Sequence, residues 1–432
     1  MQRPFGWETS KPSIRSRLVL QHLFDEAVAA VDPLNVVPPH LPPAPKGRTI
    51  VLGAGKASAR MALAVERNWS APLEGLVVTR YGHGEPCSRI EVVEAGHPVP
   101  DKEGYEAAKR MLALTSGLTE NDQVIFLMSG GGSSLLSLPA PGISLLEKRD
   151  INSQLLRCGA TINEINGVRR YISAVKGGRL ALACYPAKVL TLVISDVPGD
   201  DPTVVASGPS VPSDAKSEEA LRTLDKYAIE VSDRVRSIVS DMTLAPPQPN
   251  DERLRRNHTV VVATAQSALD AAVHAAKNCG YQPVVLGNSI EGEARSIATM
   301  HAGIARQVVL HNQPFPKQCV LLSGGETTVT VRGNGRGGRN AEFLLSLAIA
   351  LNGLNGVHAL ACDTDGIDGT EDNAGAFVSP DSLSRAAAFG LNPQAMLESN
   401  DGYSFFAALN DLVKTGPTRT NVNDFRAILI EG

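Results

Sequence analysis

The sequence predicts an α/β fold with two α/β domains, the first built on a Rossmann-like, largely parallel sheet. Three observations support this prediction. Short apolar runs alternate with helical patterns along most of the chain, which is typical of parallel strands covered by helices on both faces. Several of these runs end directly in segments rich in glycine, serine and aspartate. A proline-rich linker at residues 244–249 interrupts the rhythm, and the alternation then begins again.

The first half of the chain starts with a helical pattern and continues with strands and helices in alternation. The apolar spacing predicts a helix at residues 13–31, then a proline-rich connector and, later, a helix at residues 58–68. The predicted strands are residues 49–52, 76–79, 123–128 and 188–194. Together these elements predict a first domain at residues 13–243.

The second half repeats the alternation and predicts a second α/β domain at residues 257–432. The predicted strands are residues 259–263, 283–286, 320–322, 358–361 and 425–430. The predicted helices are residues 266–278, 291–308, 339–352 and 381–389. The last strand is compatible with the second sheet and with a return to the first domain, and the sequence leaves both open.

Charge and cysteine usage exclude several classes of protein. The chain has 41 Lys and Arg residues against 45 Asp and Glu residues, whereas a dedicated nucleic-acid-binding protein would show a basic excess. Six scattered cysteines without a CxxC pair argue against a disulfide framework and favour a reducing, cytoplasmic location. We find no signal-peptide pattern and no apolar run long enough to span a membrane. We therefore expect a small-molecule ligand, no nucleic-acid or membrane partner, and a monomer or homodimer.

The first candidate site is the segment GAGKAS at residues 53–58, between a predicted strand and a predicted helix. The free N–H groups at a helix N-terminus favour an anion, and Lys56 adds a positive charge there. Gly53 and Gly55 are the candidate binding residues of this turn. A tight strand–helix turn with a surface lysine explains the same residues equally well.

The GAGKAS segment differs from two known phosphate-binding motifs. It is not a Walker A loop, because Ile50 occupies the position of the first glycine and Ala57 follows the lysine. It is a weak dinucleotide fingerprint, because Ser58 replaces the third glycine. The next predicted strand ends in Arg80, with no acidic residue for a ribose.

The second candidate site is the segment SGGGSS, which follows the strand at residues 123–128. Its binding candidates are Ser129, Gly130, Gly131, Gly132 and Ser133. Three glycines allow successive N–H groups to point into one concavity, and the serines add hydroxyls, which suits a phosphate or a carboxylate. A flexible surface loop is the alternative, but the abrupt return to Leu135 and Leu136 favours a binding loop.

Two further segments of the first half are polar. Asp196 directly follows the strand at residues 188–194, a typical position for a metal ligand or a general base. A dense polar cluster lies at residues 163–179 and includes Arg169, Arg170 and Lys176. A solvated helix face explains most clusters of this kind, so it does not indicate a function by itself.

The second half contributes Glu326, Arg339, Asn340 and Asp365 as candidates. Arg339 begins a predicted helix, where a cation opposes the helix dipole, so stability does not explain it. Its forked donors suit a transferring phosphoryl group. Asp365 belongs to the segment DTDGIDG, which departs from the EF-hand register. This segment also resembles the DxDG motif of haloacid-dehalogenase-type phosphatases, but fewer than 70 residues follow Asp365, too few for the rest of that fold.

Eight ordered motifs together resemble the class II glycerate 2-kinase family, whose members are often labelled hydroxypyruvate reductases. These motifs are GAGKAS, GHPVPD, SGGGSS, NEINGVRRYISAVKGGRLA, ISDVPGDDPTVVASGP, SGGETTV, GRGGRNAE and DTDGIDGTEDNAGA. The resemblance extends from the first helix to the NVND segment at residues 421–424. It implies an N-terminal glycerate-kinase domain and a C-terminal MOFRL domain. The family pattern GGRNQE differs here only by Ala341 in place of glutamine.

The resemblance implies phosphorylation of D-glycerate at its 2-hydroxyl by ATP, giving 2-phosphoglycerate and ADP. It also implies an active site in the cleft between the two α/β domains, with Lys56 and Arg339 as catalytic residues. We expect both to neutralise phosphate charge, as phosphoryl transfer with Mg²⁺ requires. Asp196 is expected to be base or metal ligand, with Glu326 and Asp365 as further Mg²⁺ ligands. These three roles are interchangeable on the sequence alone.

Two other function classes remain open at the level of the sequence. An NAD(P)H-dependent hydroxypyruvate reductase would use GAGKAS as its dinucleotide turn, and Arg80 would bind the 2′-phosphate of NADP. The imperfect fingerprint and the surplus of anion-binding loops argue against it. A non-enzymatic regulator that binds sugar phosphates would leave the carboxylates at the strand ends without a role.

Overall fold

A computed structural model of the chain describes residues 12–432. These residues divide into two compact units. The first unit is Pro33–Val262. The second unit consists of the described residues up to Asp32 together with Ala263–Gly432.

Strands and helices alternate along most of the chain. The strands are β1 (Thr49–Ala54), β2 (Glu74–Arg80), β3 (Ile90–Ala95), β4 (Gln123–Ser129), β5 (Lys188–Ile194), β6 (Asn257–Ala263), β7 (Gln282–Gly287), β8 (Gly292–Glu293), β9 (Cys319–Gly325), β10 (Thr327–Thr328), β11 (Val357–Asp363), β12 (Gly375–Val378), β13 (Leu412–Val413) and β14 (Asp424–Ile430). The helices are α1 (Pro12–Ala30), α2 (Pro33–Val36), α3 (Ser58–Asn68), α4 (Lys102–Leu114), α5 (Gly132–Leu135), α6 (Leu145–Arg157), α7 (Ile162–Tyr171), α8 (Arg179–Ala183), α9 (Ser217–Lys226), α10 (Asp233–Ser240), α11 (Ala265–Asn278), α12 (Ala294–His311), α13 (Arg339–Leu351), α14 (Ser382–Ala388), α15 (Pro393–Glu398) and α16 (Gly402–Ala408). No helix among the described residues combines the length and the apolar character needed to cross a membrane.

The first sheet has the strand order β3-β2-β1-β4-β5-β6. The pairs β1–β2, β2–β3, β1–β4 and β4–β5 are parallel. This order is the one found in doubly wound Rossmann folds, so the predicted fold class of the first domain is confirmed. The order reverses between β1 and β4, and ligands in such sheets bind beyond the carboxyl ends of the strands at this reversal. All residues of β1 and β4 are buried, as their continuous apolar sequences predict.

The second sheet is mixed and has the order β13-β12-β11-β14-β9-β7. Its last strand, β14, pairs antiparallel with both β11 and β9, while β7 and β9 are parallel. The choice that the sequence left open is thereby decided, because the final strand lies inside the second sheet. The first residue of β14, Asp424, is opposite Asp363 at the end of β11 and Gly325 at the end of β9.

The two units differ from the predicted domain boundaries at both ends of the first domain. Helix α1 packs against α11, and the ring of Phe24 lies 5.8 Å from that of Phe425, so this helix belongs to the second unit. Strand β6 is the edge strand of the first sheet, although the prediction began the second domain at residue 257. A local apolar pattern identifies a helix or a strand but does not say which sheet it joins.

Strand β3 and helix α4 were not predicted. The sequence of β3 carries two glutamates, which obscure its apolar pattern. This strand forms the edge of the sheet opposite β6, and an edge strand can carry charged side chains because it is partly exposed. Helix α4 begins after Asp101, whose side chain accepts a hydrogen bond from Gly104 N at 3.1 Å. Such an aspartate cap is a recognisable signal of a helix start.

Candidate active-site residues

The two glycine-rich segments of the first unit lie side by side at the strand reversal. The N–H of Lys56, after β1, donates to the carbonyl oxygen of Gly130, after β4, at 2.8 Å. The N–H of Ala57 donates to Oγ of the buried Ser129 at 3.0 Å. The parallel pairing of β1 with β4 explains this contact, because it brings the carboxyl ends of both strands to one edge. The structure therefore joins GAGKAS and SGGGSS into one surface.

Gly53 and Gly55 allow the protein to pack closely against itself. A Cβ atom on Gly55 would lie 2.1 Å from Oγ of Ser129, and this glycine has φ +143°. A Cβ atom on Gly53, inside β1, would lie 2.5 Å from the carbonyl oxygen of Leu127. In a dinucleotide fingerprint, by contrast, the second glycine leaves room for the pyrophosphate. Here that room is filled by Ser129, which argues against a dinucleotide turn.

The side chain of Lys56 lies next to the glycines of the second segment. Lys56 is half-buried, and a Cβ atom built on Gly131 would lie 3.3 Å from its Cγ and 3.0 Å from the His97 ring. Gly131 also has φ +80°, a left-handed conformation that favours glycine. Asp196 is half-buried and follows β5 directly, at the same carboxyl edge of the sheet.

Two further segments of the first unit, at residues 163–181 and 194–209, contact SGGGSS. Oγ of Ser133 is 2.7 Å from Oγ of Ser207, which in turn donates to Oδ1 of Asn166 at 2.9 Å. The buried Nζ of Lys176 donates to the carbonyl oxygens of Ser133 and Ala206, at 2.9 and 3.2 Å. The sequence contains Asn166, Lys176 and Ser207 in its motifs but gave them no individual role, because nothing local shows that they meet the glycine loop.

In the second unit, Arg339 is surrounded by carboxylates. Its Nε donates to Asp424 at 2.7 Å, its Nη1 to Glu326 at 2.6 Å and its Nη2 to Asp363 at 2.9 Å. These ion pairs hold the pKa of Arg339 well above its ordinary value although burial alone would lower it. The sequence predicted Arg339 as a cation for phosphate, and the structure adds that three of its five donors are already engaged.

Asp424 is the functional candidate that the sequence missed. Its side chain is fully buried, accepts from Arg339 and Asn340, and also pairs with the buried Arg426. Burial alone would raise the pKa of Asp424, but Arg339 and Arg426 hold it below its ordinary value. The only signal in the sequence is the polar NVND segment before the last strand. Asp424 can meet Arg339 only because β14 lies between β9 and β11.

Asn340 and Asp368 organise the start of α13. Asp368 is fully buried and accepts the N–H groups of Asn340 and Ala341, at 2.9 and 2.8 Å. Burial nevertheless raises the pKa of Asp368 to about 6. Asp365 is 1% exposed, and its Oδ1 accepts from Ile367 N at 2.9 Å, so this side chain shapes the loop after β11.

The predicted metal ligands do not form a protein-only metal cage. Among the residues that the structure describes, no group of three or more His, Cys, Asp or Glu side chains is arranged to hold a metal ion. Mg²⁺ in phosphoryl-transfer sites needs only one or two carboxylates together with phosphate oxygens. Glu326 fits that requirement best, because its side chain is 49% exposed and, in the described part of the chain, only Oε1 accepts a hydrogen bond.

Comparison with known families defines the class of protein first. A family model described as a domain of unknown function (DUF4147) matches residues 19–240, and the MOFRL family model matches residues 319–424. The chain is therefore a two-domain α/β protein of the DUF4147–MOFRL type. Its fold is similar to that of a glycerate kinase crystal structure from Thermotoga maritima, with a TM-score of 0.88 and 41% identity over 97% of this chain and 100% of the other.

Individual relatives then identify the family. The chain is 41% identical to the D-glycerate 2-kinase of Thermotoga maritima, over 96% of this chain and 98% of the relative. It is 32% identical to human glycerate kinase, over 99% and 96%. A protein of Agrobacterium vitis named "Putative hydroxypyruvate reductase" is 49% identical over 96% and 95%. The chain belongs to the class II glycerate 2-kinase family.

Proposed function

We propose that this protein is a D-glycerate 2-kinase, which transfers the γ-phosphoryl group of ATP to the 2-hydroxyl of D-glycerate. The products are 2-phosphoglycerate and ADP. The observation that carries the proposal is the joining of GAGKAS to SGGGSS beside Lys56, at the strand reversal of a Rossmann-ordered sheet. The near full-length similarity to glycerate 2-kinases supplies the identity of the acceptor.

In the first unit, Lys56 and the glycine segments bind phosphate. Lys56 places a full positive charge beside Gly131, where it stabilises negative charge that develops on the transferred group. Ser129 keeps the two segments together, and the support from Ser207 and Lys176 keeps Ser133 in place. Because these donors are fixed before the ligand binds, they need little reorganisation during the reaction.

Asp196 is the proposed general base, which accepts the proton of the 2-hydroxyl. Its position directly after β5 puts a carboxylate at the edge where the two glycine segments lie. In the second unit, Arg339 orients Glu326, Asp363 and Asp424, and its two remaining donors are available to a phosphate oxygen. Glu326 would hold Mg²⁺, which arrives with ATP and neutralises charge on its phosphates.

The decisive experiment incubates the protein with D-glycerate, ATP and Mg²⁺, measures ADP, and identifies the phosphoglycerate isomer by NMR. We expect 2-phosphoglycerate from the wild type and a loss of at least a hundredfold in kcat in Lys56→Ala, since a fixed electrostatic donor contributes about that much. Lys46→Ala is the matched control, because Lys46 is an exposed lysine of the same unit. Absence of 2-phosphoglycerate from the wild type would refute the proposal.

The same preparation distinguishes the rival activity. The name of the Agrobacterium relative makes a reductase the second candidate. A parallel reaction with hydroxypyruvate and NADH or NADPH is expected to show no coenzyme oxidation, because Ser129 fills the space that a pyrophosphate needs at Gly55. Oxidation of the coenzyme, abolished by Arg80→Ala with NADPH alone, would favour the reductase instead.

A further inference from the structure

Four basic side chains lie close to one another, and one of them, Lys176, contacts the SGGGSS segment at Ser133. We call Lys148, Arg169, Arg170 and Lys176 the basic cluster. Burial, together with repulsion from the other three members, holds the pKa of Lys176 well below its ordinary value. Within the described residues, none of the four forms a salt bridge with a carboxylate, and their hydrogen bonds go to neutral oxygens. Arg170 is attracted by Asp201 and Asp214 at longer range, whereas Arg169 has no such carboxylate. Burial lowers the pKa of Lys148 and Lys176, so both lysines can lose their charge, whereas the guanidinium of Arg169 cannot. A charge kept in a buried position without a counter-charge is costly in free energy, so Arg169 points to an anionic ligand.

Arg169 connects the basic cluster to a cavity in the first unit. The cavity has a volume of about 480 Å³, and its polar lining consists of two arginines, one carboxylate and four neutral side chains: Arg149, Arg169, Asp150, Asn152, Ser133, Ser134 and Ser153. The Nε of Arg169 donates to Oδ1 of Asn152 at 3.0 Å, and this is its only hydrogen bond in the described chain. Burial lowers the pKa of Arg169 to about 10, so the guanidinium remains charged at neutral pH.

The cavity also has apolar lining residues. They are Pro98, Val99, Pro100 and Leu156. Val99 is 58% exposed and Leu156 is 61% exposed, so both side chains are accessible to a ligand. Apolar groups together with a few convergent polar groups are characteristic of ligand sites.

The position of the cavity relates it to Lys56. Gly131 and His97 line the cavity, and the Cβ direction of Gly131 points at both the His97 ring and the Lys56 side chain. The cavity therefore borders SGGGSS and, through Gly131, the side chain of Lys56. The volume is that of a site for a nucleotide-sized ligand and far exceeds the needs of a three-carbon acid.

We propose that this cavity is the nucleotide site, with Arg169 and Arg149 on the phosphate chain and the base against Pro98–Pro100 and Leu156. The proposal deepens the proposed kinase function, on which it rests for the identity of ATP. The GHPVPD motif and the basic NEINGVRR segment, which the function had not yet explained, both obtain a role. The acceptor hydroxy acid then binds outside this cavity.

The test measures binding without turnover. Isothermal titration with the non-hydrolysable analogue AMP-PNP and Mg²⁺ compares the wild type with Arg169→Met, Arg149→Met and Arg157→Met. We expect Kd to rise about ten- to hundredfold in Arg169→Met, because a charge-assisted contact is lost. A smaller rise is expected for the exposed Arg149, and no change for Arg157→Met, which removes an exposed charge from the end of the same helix.

A second comparison separates the base from the phosphates. Leu156→Ala is expected to weaken AMP-PNP binding several-fold while binding of inorganic tripolyphosphate stays unchanged. Arg149→Met is expected to weaken both ligands. Because Leu156 and Arg149 are exposed, these variants test the proposal even if Arg169→Met does not fold.

Steady-state kinetics supply the outcome that would overturn the proposal. The expected pattern is a raised KM for ATP in Arg169→Met with the KM for D-glycerate unchanged. A raised KM for D-glycerate with unchanged AMP-PNP binding would assign the cavity to the acceptor instead. Unchanged binding and kinetics in Arg169→Met and Arg149→Met would show that these arginines have only a structural role. Arg169-dependent nucleotide binding by a protein that does not phosphorylate D-glycerate would refute the proposed function but not this site.

Discussion

Replacement of Asp424 by asparagine tests whether the buried charge network of the second unit is as tightly coupled as its geometry indicates. The Asp424→Asn side chain keeps its size but removes the negative charge that faces both Arg339 and Arg426. Arg426 is 1% exposed, so its guanidinium would become a buried charge without its nearest counter-charge. Removing one partner of a buried ion pair costs about 3–5 kcal/mol. For a unit of this size, that corresponds to a fall of about 6–20 °C in Tm.

Differential scanning calorimetry provides the measurement. Asp372→Asn is the matched control, because the Asp372 side chain is 63% exposed and pairs with Lys414 on the surface. An exposed pair contributes at most about 1 kcal/mol, so this control should shift Tm by less than about 4 °C. Adding Arg426→Met to Asp424→Asn should recover part of the loss, since the buried charge is then gone. A Tm of Asp424→Asn within about 2 °C of the wild type would refute the reasoning.

Three further predictions follow from individual contacts. Gly55→Ala should abolish most activity and lower Tm more than the control Gly117→Ala. Both glycines have positive φ, but only at Gly55 would the new Cβ meet a side chain, Oγ of Ser129 at 2.1 Å. Equal effects of the two substitutions would show that this contact is unimportant. Burial raises the pKa of Asp368 to about 6, so the folded state holds a proton that the unfolded state releases near pH 4. As the pH rises from 4 to 6, the Tm of the wild type should therefore fall relative to the Tm of Asp368→Asn. Parallel Tm curves over this range would contradict the prediction. Glu326→Gln should raise the Mg²⁺ concentration for half-maximal activity about tenfold with little change in Tm, and an unchanged Mg²⁺ titration would exclude Glu326 as a ligand.

The local elements were predicted well where a single pattern determines them. Helix α3 and strand β5 have the predicted bounds, because a buried apolar run or an amphipathic repeat is complete within the segment itself. The glycine segments were predicted as binding loops for a similar reason. Glycine and serine directly after a buried strand identify a loop at the carboxyl edge of a parallel sheet, whatever its neighbours are.

The candidate site was predicted only in part, because much of it depends on long-range pairing. Lys56, Ser129 and Arg339 stand out in their own segments, whereas Asp424 has no distinguishing mark except its place before the last strand. Lys176 and Arg169 were treated as part of a solvated face. Their burial, and the lack of an acidic partner for Arg169, become visible only in the tertiary structure.

The sequence by itself determined the class of fold, the loops that follow the strands, and the family through its ordered motifs. These properties depend on neighbouring residues, whose backbone and apolar preferences act locally. The tertiary structure alone decided that α1 joins the second unit, that β14 inserts between β9 and β11, and that Arg339 meets three carboxylates. These properties arise from contacts between residues far apart in the chain, and such contacts are chosen by the packing of whole elements rather than by any one segment.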